Sequence, residues 1–379
     1  MQQHPSYEVA IIGGGLAGLA LSIQLAKAGK QVILFEKEQY PFHKVCGEYI
    51  SMESWNFMEG LGVPLRDLNL PRITNLTVSS PSGKQLHAPL QPGGFGISRY
   101  LLDGILKDLA VQAGVKVVEQ CKVADVQFKK EGFEIDSTAG QFFSKVCCGS
   151  FGKRSNLDVK WKRSFTQHGS RKLNHFTGVK YHIETTFPAD SIALHNFKDG
   201  YCGISKIEGE KYCLCYLTHT DNLKKNGQSI AAMEQNVLSR NPHLRAILNN
   251  STVLYDAPVS ISQISFLQKT QVENHVLLLG DAAGLITPLC GNGMSMALHG
   301  AKLLAPLVLN FLNGICTRSQ METAHIAQWR WHFASRLRYG RIIQYFFGNE
   351  TMTNIFIAAM QRQPWFTRWL IARTHGKSF

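Results

Sequence analysis

None of the nine cysteines, at positions 46, 121, 147, 148, 202, 213, 215, 290 and 316, stands in a C-x-x-C pair. A dithiol redox centre or a cysteine zinc site needs that spacing, so neither is expected, and no metal site is predicted elsewhere. The odd count, and positions inside apolar runs such as Tyr212-Cys213-Leu214-Cys215-Tyr216, fit reduced and mostly buried thiols of a cytoplasmic protein. No uninterrupted apolar run reaches the length of a transmembrane helix. The first strand-like run begins within a few residues of Met1, so no signal peptide is expected. Acids are scarce, with 27 Asp and Glu against 40 Lys and Arg and a formal charge of +13. The basic residues are dispersed, and no helix-turn-helix, zinc-finger or RNA-binding signature accompanies them. Nucleic acid is therefore not an expected partner. An anionic surface or an acidic small molecule suits the charge better. Internal repeats and low-complexity segments are also missing.

What is present begins at Tyr7. Val9-Ala10-Ile11-Ile12 reads as a buried strand, Gly13-Gly14-Gly15-Leu16-Ala17-Gly18 as a turn, and Leu19 to Ala28 as a helix. Gly29-Lys30 stops the helix, and Gln31-Val32-Ile33-Leu34-Phe35 is a second strand ending at Glu36. This is a βαβ unit with G-x-G-x-x-G at its first turn and an acid at the tip of its second strand. Gly13 permits the tight turn, Gly15 lets backbone approach a pyrophosphate, and Gly18 allows close helix–strand packing. Glu36 can accept hydrogen bonds from a ribose, and the helix N-terminus favours phosphate. The unit predicts a bound dinucleotide.

Further along, Tyr100 to Ala113 forms an amphipathic helix with Leu102, Ile105, Leu106 and Leu109 on one stripe. Val123 to Phe128 and Gly132 to Ser137 form a hairpin. From about Ser164 to Ser262 short alternating segments predict an antiparallel sheet, interrupted by a helix from Ser229 to Ser239. The α/β pattern returns at His275-Val276-Leu277-Leu278-Leu279-Gly280. The expected fold is α/β: a discontinuous dinucleotide domain (1–72, 95–160 and 263–325), an inserted sheet domain (73–94 and 161–262), and a C-terminal helical segment (326–379). That last segment carries many aromatics, eight basic residues and one acid, Glu350.

Gly280-Asp281-Ala282-Ala283-Gly284 follows an apolar strand and runs on through Pro288 to Gly291-Asn292-Gly293-Met294 and Ala297. G-D-A-A-G followed by P-x-x-G-x-G-M-x-x-A resembles the motif of FAD-dependent monooxygenases and of the related geranylgeranyl reductases. The resemblance implies a Rossmann-like FAD-binding domain roofed by the sheet domain. It implies that Asp281 bonds the FAD ribityl chain and that the helix near Gly293 aims its N-terminus at the flavin, which suits an anionic reduced ring. Arg99, opening an R-x-x-L-D helix, resembles the arginine beside the FAD diphosphate. The cofactor contacts expected are Gly13, Gly15, Leu16, Ala17, Gly18, Glu36 and Lys37 at the first unit, Arg99 and Val123 in mid-chain, and Gly280, Asp281, Pro288, Gly291, Asn292, Gly293 and Met294 in the later motif.

Two motifs depart from the pattern. Where the family reads G-A-D-G-x-x-S, this chain reads Gly149-Ser150-Phe151-Gly152-Lys153-Arg154-Ser155, with Phe151 in place of the aspartate. That leaves non-covalent FAD expected and the route of flavin reduction open, with NAD(P)H as a transient reductant. Lys44-Val45-Cys46-Gly47-Glu48 resembles the K-x-C-G-G/E signature of the reductase branch. Cys46 is either a thiol beside the flavin or a small buried residue before a turn. The lipid reductases' Y-x-W-x-F-P is missing, the nearest segment being Gly200-Tyr201-Cys202-Gly203-Ile204-Ser205. The halogenases' W-x-W-x-I-P is missing too, and Trp329-Arg330-Trp331 reads as helix packing.

A second G-x-G-x-x-G unit is absent, since Gly93-Gly94-Phe95-Gly96 is a turn, so no dedicated nicotinamide domain is expected. The protein supplies a dry cavity and orientation, and the flavin supplies the chemistry. Cys46 and Tyr201 are the catalytic candidates, and His299 reads as a packing residue. Three functions remain: hydroxylation of an apolar aromatic, polyketide-like or lipid-like small substrate, reduction of a prenyl or alkene double bond, and a non-catalytic flavin redox sensor. Trp365, Phe366, Trp369, Leu370 and Ile371 beside Arg362, Arg368 and Arg373 resemble an interfacial helix, which predicts peripheral contact with the inner face of a membrane.

Overall fold

The computed structural model describes residues 5–167, 175–287, 291–346, 350–363, 365, 369–371, 373 and 376–379. Ser6–Ile12 is the central strand of the first sheet, and its inner half is buried. It pairs in parallel with Val32–Phe35 on one side and with Gly140–Gly149 on the other. Lys116–Val118 extends the first flank, and Val276–Leu278 with Val272–Glu273 the second. Successive crossovers therefore leave the central strand in opposite directions. Just beyond Ile12 and Gly149 the sheet has a topological switch point, the place where such sheets open a ligand crevice.

The Leu16–Lys27 helix covers this sheet and buries nearly all of its first two turns. Small residues make that approach feasible: a Cβ on Gly18 would stand 2.2 Å from the Gly13 carbonyl oxygen. The Gly293–Leu312 helix packs beside it, with Leu298, Ala301, Leu304 and Val308 in the same core. This helix is long and apolar enough to cross a membrane, but half of it is buried inside the protein. The Val123–Lys129 and Gly132–Ser137 hairpin forms as expected. Lys130 and Glu131 both take positive φ in its two-residue turn.

The second sheet runs Thr252–Val253, Phe176–Glu184, Tyr212–His219, Gly200–Lys206, Ser191–Phe197, Arg72–Ser79, Gln85–Gly96 and Tyr49–Ser51, with Val259–Ile264 also paired to Phe176–Glu184. Three features depart from the sequence reading. Tyr49–Ser51, counted with the dinucleotide domain, joins this sheet against Gly94–Gly96. The sheet is not wholly antiparallel, because Ser191–Phe197 runs parallel to Arg72–Ser79. The single helix expected from Ser229 to Ser239 is broken: Ile230–Asn236 ends at Val237, and Asn241 caps a new helix with Pro242 at its first position.

The outer face of this sheet is closed by Met233 and Leu244 from those helices and by Leu238 from the turn between them. Its inner face looks back across the switch point. The C-terminal Arg318–Phe346 and Glu350–Arg362 helices lie outside both sheets. The tail returns: the Phe379 N–H donates to the Glu53 carbonyl at 3.2 Å, and Arg336 pairs with the buried Glu53 carboxylate at 3.2 Å.

Candidate cofactor and substrate cavity

A cavity of about 1160 Å³ lies between the switch point and the inner face of the second sheet. That volume exceeds the usual range for a single small ligand and leaves room for a cofactor with a substrate beside it. Its floor begins at Ile12, Gly13 and Gly15. Gly13 holds φ +100°, and a Cβ there would meet the Ser150 carbonyl oxygen at 2.6 Å, so the position requires glycine. Gly15 differs. Its backbone is ordinary, and a Cβ there would meet nothing nearer than the Ser150 oxygen at 3.9 Å and Arg99 Nη2 at 4.0 Å. The space beside Gly15 is a cradle that a side chain would fill.

Gly15 and Asn292 cap the two helices that face the cavity, and neither makes a side-chain capping bond. Their first-turn N–H groups and positive dipole ends are thus presented to a ligand, which suits phosphates and an anionic ring. Glu36 is buried, and its carboxylate accepts from the Gly14 N–H at 2.8 Å and the Glu38 N–H at 3.1 Å. Those bonds fix the carboxylate at the cavity wall, where lone pairs remain for hydroxyls. The Arg99 guanidinium is aimed by a two-bond pair to Asp103, both at 2.8 Å, and Lys44 adds a third contact at 3.0 Å. Burial alone would raise the Asp103 carboxyl, but Arg99 and Lys44 outweigh it and hold the group below the usual carboxylate range.

Leu16, Ala17, Lys37, Val123, Gly280, Asp281, Gly291, Gly293 and Met294 also line the cavity. Gly18 does not. It serves the helix–strand approach behind the wall. Pro288 lies outside the described residues. Cys46 and Tyr201 both line the cavity, Cys46 from the loop before Gly47 and Tyr201 from the second sheet. His299 does not. It stacks on Phe379 at 4.2 Å between ring centres, and burial lowers it to about 4. Phe151 lines the cavity where the aspartate was expected, with its ring packed beside Gly149 and Trp161.

Two features were not visible in the sequence. Lys269 is buried, and its ammonium donates to the Lys153 carbonyl at 2.7 Å and the Asp281 carbonyl at 2.8 Å. It ties the Phe151 loop to the Asp281 turn. Burial lowers it to about 8. The second feature centres on Glu48, which is fully buried with φ +55°. Its Oε1 accepts from Lys180 Nζ at 2.5 Å and from the Arg99 N–H at 2.8 Å, and its Oε2 accepts from His182 Nε2 at 2.5 Å. Burial would raise Glu48, but the His182 bond and the Lys180 charge prevail and lower it. Lys180 and His182 stand two apart in a buried strand. Two ionisable residues on one face of an apolar strand were the signal available.

The wall is polarised. The second sheet contributes Ile192, Leu194, Gly203, Leu217, Ile261 and Ile264, and none of its lining residues is charged. The floor carries Glu36, Lys37, Lys44, Glu48, Arg99, Lys153, Arg154 and Asp281.

Residues 6–129 match the family described as FAD binding domain. The protein is an FAD-dependent oxidoreductase. The glycine cradle, the two uncapped helix ends and Glu36 fit that cofactor. The flavoprotein is 24% identical over 333 residues to conditioned medium factor receptor 1 of Dictyostelium discoideum, and the match spans 81% of this chain and 64% of that one. It is 25% identical to a digeranylgeranylglycerophospholipid reductase of Methanococcus vannielii, over 77% of this chain and 74% of that one. It is 21% identical to a kynurenine 3-monooxygenase of Flavobacterium johnsoniae, over 81% and 73%. Its fold matches the structure of a flavin-dependent brominase with a TM-score of 0.75 at 20% identity, covering 96% of this chain and 92% of the other.

Proposed function

We propose that this flavoprotein is a monooxygenase that hydroxylates an apolar aromatic, polyketide-like or lipid-like substrate, with NAD(P)H as transient reductant. The polarised cavity carries this reading. A charged floor with two helix N-termini that carry no side-chain cap suits FAD, and an uncharged roof suits a substrate held by shape and by water exclusion rather than by ion pairs. Reduced FAD supplies the electrons, to O₂ or to a carbon–carbon double bond. Gly203 and Leu194 leave room above the floor, Tyr201 adds to the lining of the roof, and Lys269, bonded to the Asp281 carbonyl, fixes the turn beneath.

Cys46 supports a second reading, reduction of a double bond, because this cysteine lines the cavity between floor and roof. Measuring NADPH oxidation and O₂ uptake with lipid and aromatic extracts separates the two. Hydroxylation consumes O₂ and adds one oxygen to the product. Double-bond reduction consumes NADPH without O₂ and adds two hydrogens. A bromide arm detects halogenation, and NADPH oxidation unaffected by any extract overturns both readings.

A membrane route for an apolar substrate is part of the same proposal. Trp331 is 84% exposed, Trp365 66% and Ile355 62%. Trp331 therefore does not pack as the sequence suggested, whereas its neighbour Trp329 is buried against Gly284. Arg373 stands over the Trp369 ring at 5.3 Å. Exposed aromatics beside arginines suit the headgroup region of an anionic bilayer.

A further inference from the structure

We propose that His43, Tyr255, His182 and Glu48 form a proton relay from the protein surface to the wall of the flavin cavity. The proposal rests on the cavity being the site of a proton-consuming flavin reaction. His182 Nε2 meets Glu48, and His182 Nδ1 meets the Tyr255 hydroxyl in a short contact. The same hydroxyl lies 3.2 Å from His43 Nδ1. His43 and Glu48 both line the cavity, while Tyr255 and His43 are partly exposed. The chain is thus continuous from water to the wall.

Hydrogen-bond accounting orders its protons. Lys180 already gives Glu48 one positive partner, so a neutral His182 keeps the buried cluster balanced. A neutral His182 that donates from Nε2 to Glu48 must accept at Nδ1. Tyr255 therefore donates to His182, and the Tyr255 oxygen accepts from His43 Nδ1–H. Every bond then points toward Glu48. His43 faces Tyr100, Lys180, His182, Tyr255, Glu48 and Lys211, and burial and the two cations hold it neutral, lowered to about 4. Tyr255 is raised by burial and by Glu48, so it stays a neutral hydroxyl able to donate and accept at once.

One transfer balances as follows. Water-borne H⁺ binds His43 Nε2, and His43 Nδ1–H passes to the Tyr255 oxygen. The Tyr255 proton passes to His182 Nδ1, and His182 Nε2–H passes to Glu48 Oε2. Glu48, whose side chain is fully buried just behind the wall, is left as a neutral carboxylic acid from which the proton would pass inward, and each imidazole ends neutral. Cys213 is beside the cluster but is not a link. Its thiol donates to the Cys46 carbonyl at 3.2 Å, and burial raises it well above the usual thiol range.

Two measurements test the relay. In apoprotein labelled with ¹⁵N-histidine, with the resonances identified through His43→Gln and His182→Gln, the relay requires the proton on Nε2 of His182 and on Nδ1 of His43. A His43 protonated only on Nε2 would leave two acceptors facing one hydroxyl and overturn the proposal. This arm needs no flavin. In the second, photoreduced FAD-loaded protein is mixed with O₂. Formation of H₂O₂ transfers two electrons and one proton from the reduced anion and takes one more proton from the protein. Tyr255→Phe should slow that reoxidation about 10²-fold and change its solvent deuterium effect, with FAD affinity unaltered. His182→Gln, which keeps a donor to Glu48 but cannot relay, should do the same, and added imidazole should restore part of the rate. Wild-type rates and isotope effects in both variants overturn the relay. No organic substrate enters either arm, so an error in the substrate reading leaves the result readable.

Discussion

Gly15→Ala separates folding from cofactor binding. The new Cβ meets no atom of the protein nearer than 3.9 Å, and the backbone there is extended rather than left-handed. Alanine is a poorer helix cap than glycine, by roughly 0.5–1 kcal/mol, but it loses less chain entropy on folding by a similar amount. The apoprotein should therefore unfold within about 0.5 kcal/mol of wild type. The methyl group instead enters the cradle proposed to receive the pyrophosphate. Overpacking of that kind costs about 1–3 kcal/mol, or roughly 5- to 150-fold in affinity. Gly13→Ala is the contrast: at φ +100° and 2.6 Å from the Ser150 oxygen it should damage fold and binding together. Thermal melts of apoprotein, with FAD titrations followed by flavin fluorescence, read both quantities. A Gly15→Ala protein that binds FAD like wild type would show that the pyrophosphate does not cross this turn.

Three further outcomes follow from the same geometry. Gly203→Trp should fill the roof, since Leu194 is its nearest neighbour at 3.5 Å, and abolish turnover of bulky apolar substrates while FAD affinity holds; retained turnover would move the substrate elsewhere. Stability should fall on acidification: burial lowers His195 to about 3 and His325 to about 4, so the unfolded chain binds more protons as pH falls from about 6.5 to about 4. Glu48 and Asp103, depressed in the fold, add a further loss below the usual carboxylate range, and a thermal midpoint flat from pH 7 to 4 would contradict this assignment. In flotation at low salt the protein should rise with anionic vesicles and sink when salt is added, whereas Trp331→Ser with Trp365→Ser should abolish the rise; wild-type protein that stays at the bottom would refute the membrane contact.

The first βαβ unit and its glycines were legible because a tight turn against a phosphate admits few residue types. The same holds for Gly280, whose positive φ just before Asp281 leaves a spaced signature. The Glu48 cluster was not legible. Its members are 132 and 134 residues apart in sequence, and strand Phe176–Glu184 is buried on both faces, so no alternation marks Lys180 and His182 as inward partners of a loop. Lys269 was hidden for a related reason, since it bonds carbonyls rather than side chains. The parallel pair in the second sheet escaped because strand direction is set by connections, not by composition. Trp331 was misjudged because the Arg318–Phe346 helix carries polar and apolar residues on all sides and gives no clear buried face.

The most direct measurement is a titration of purified apoprotein with FAD, followed by absorption and gel filtration. The cavity described here requires one FAD to bind per chain, to co-elute with the protein, and to shift its absorption as the ring leaves water. Protein that stays colourless through gel filtration with FAD in excess would contradict the assignment of the cavity, and with it the chemistry built upon it.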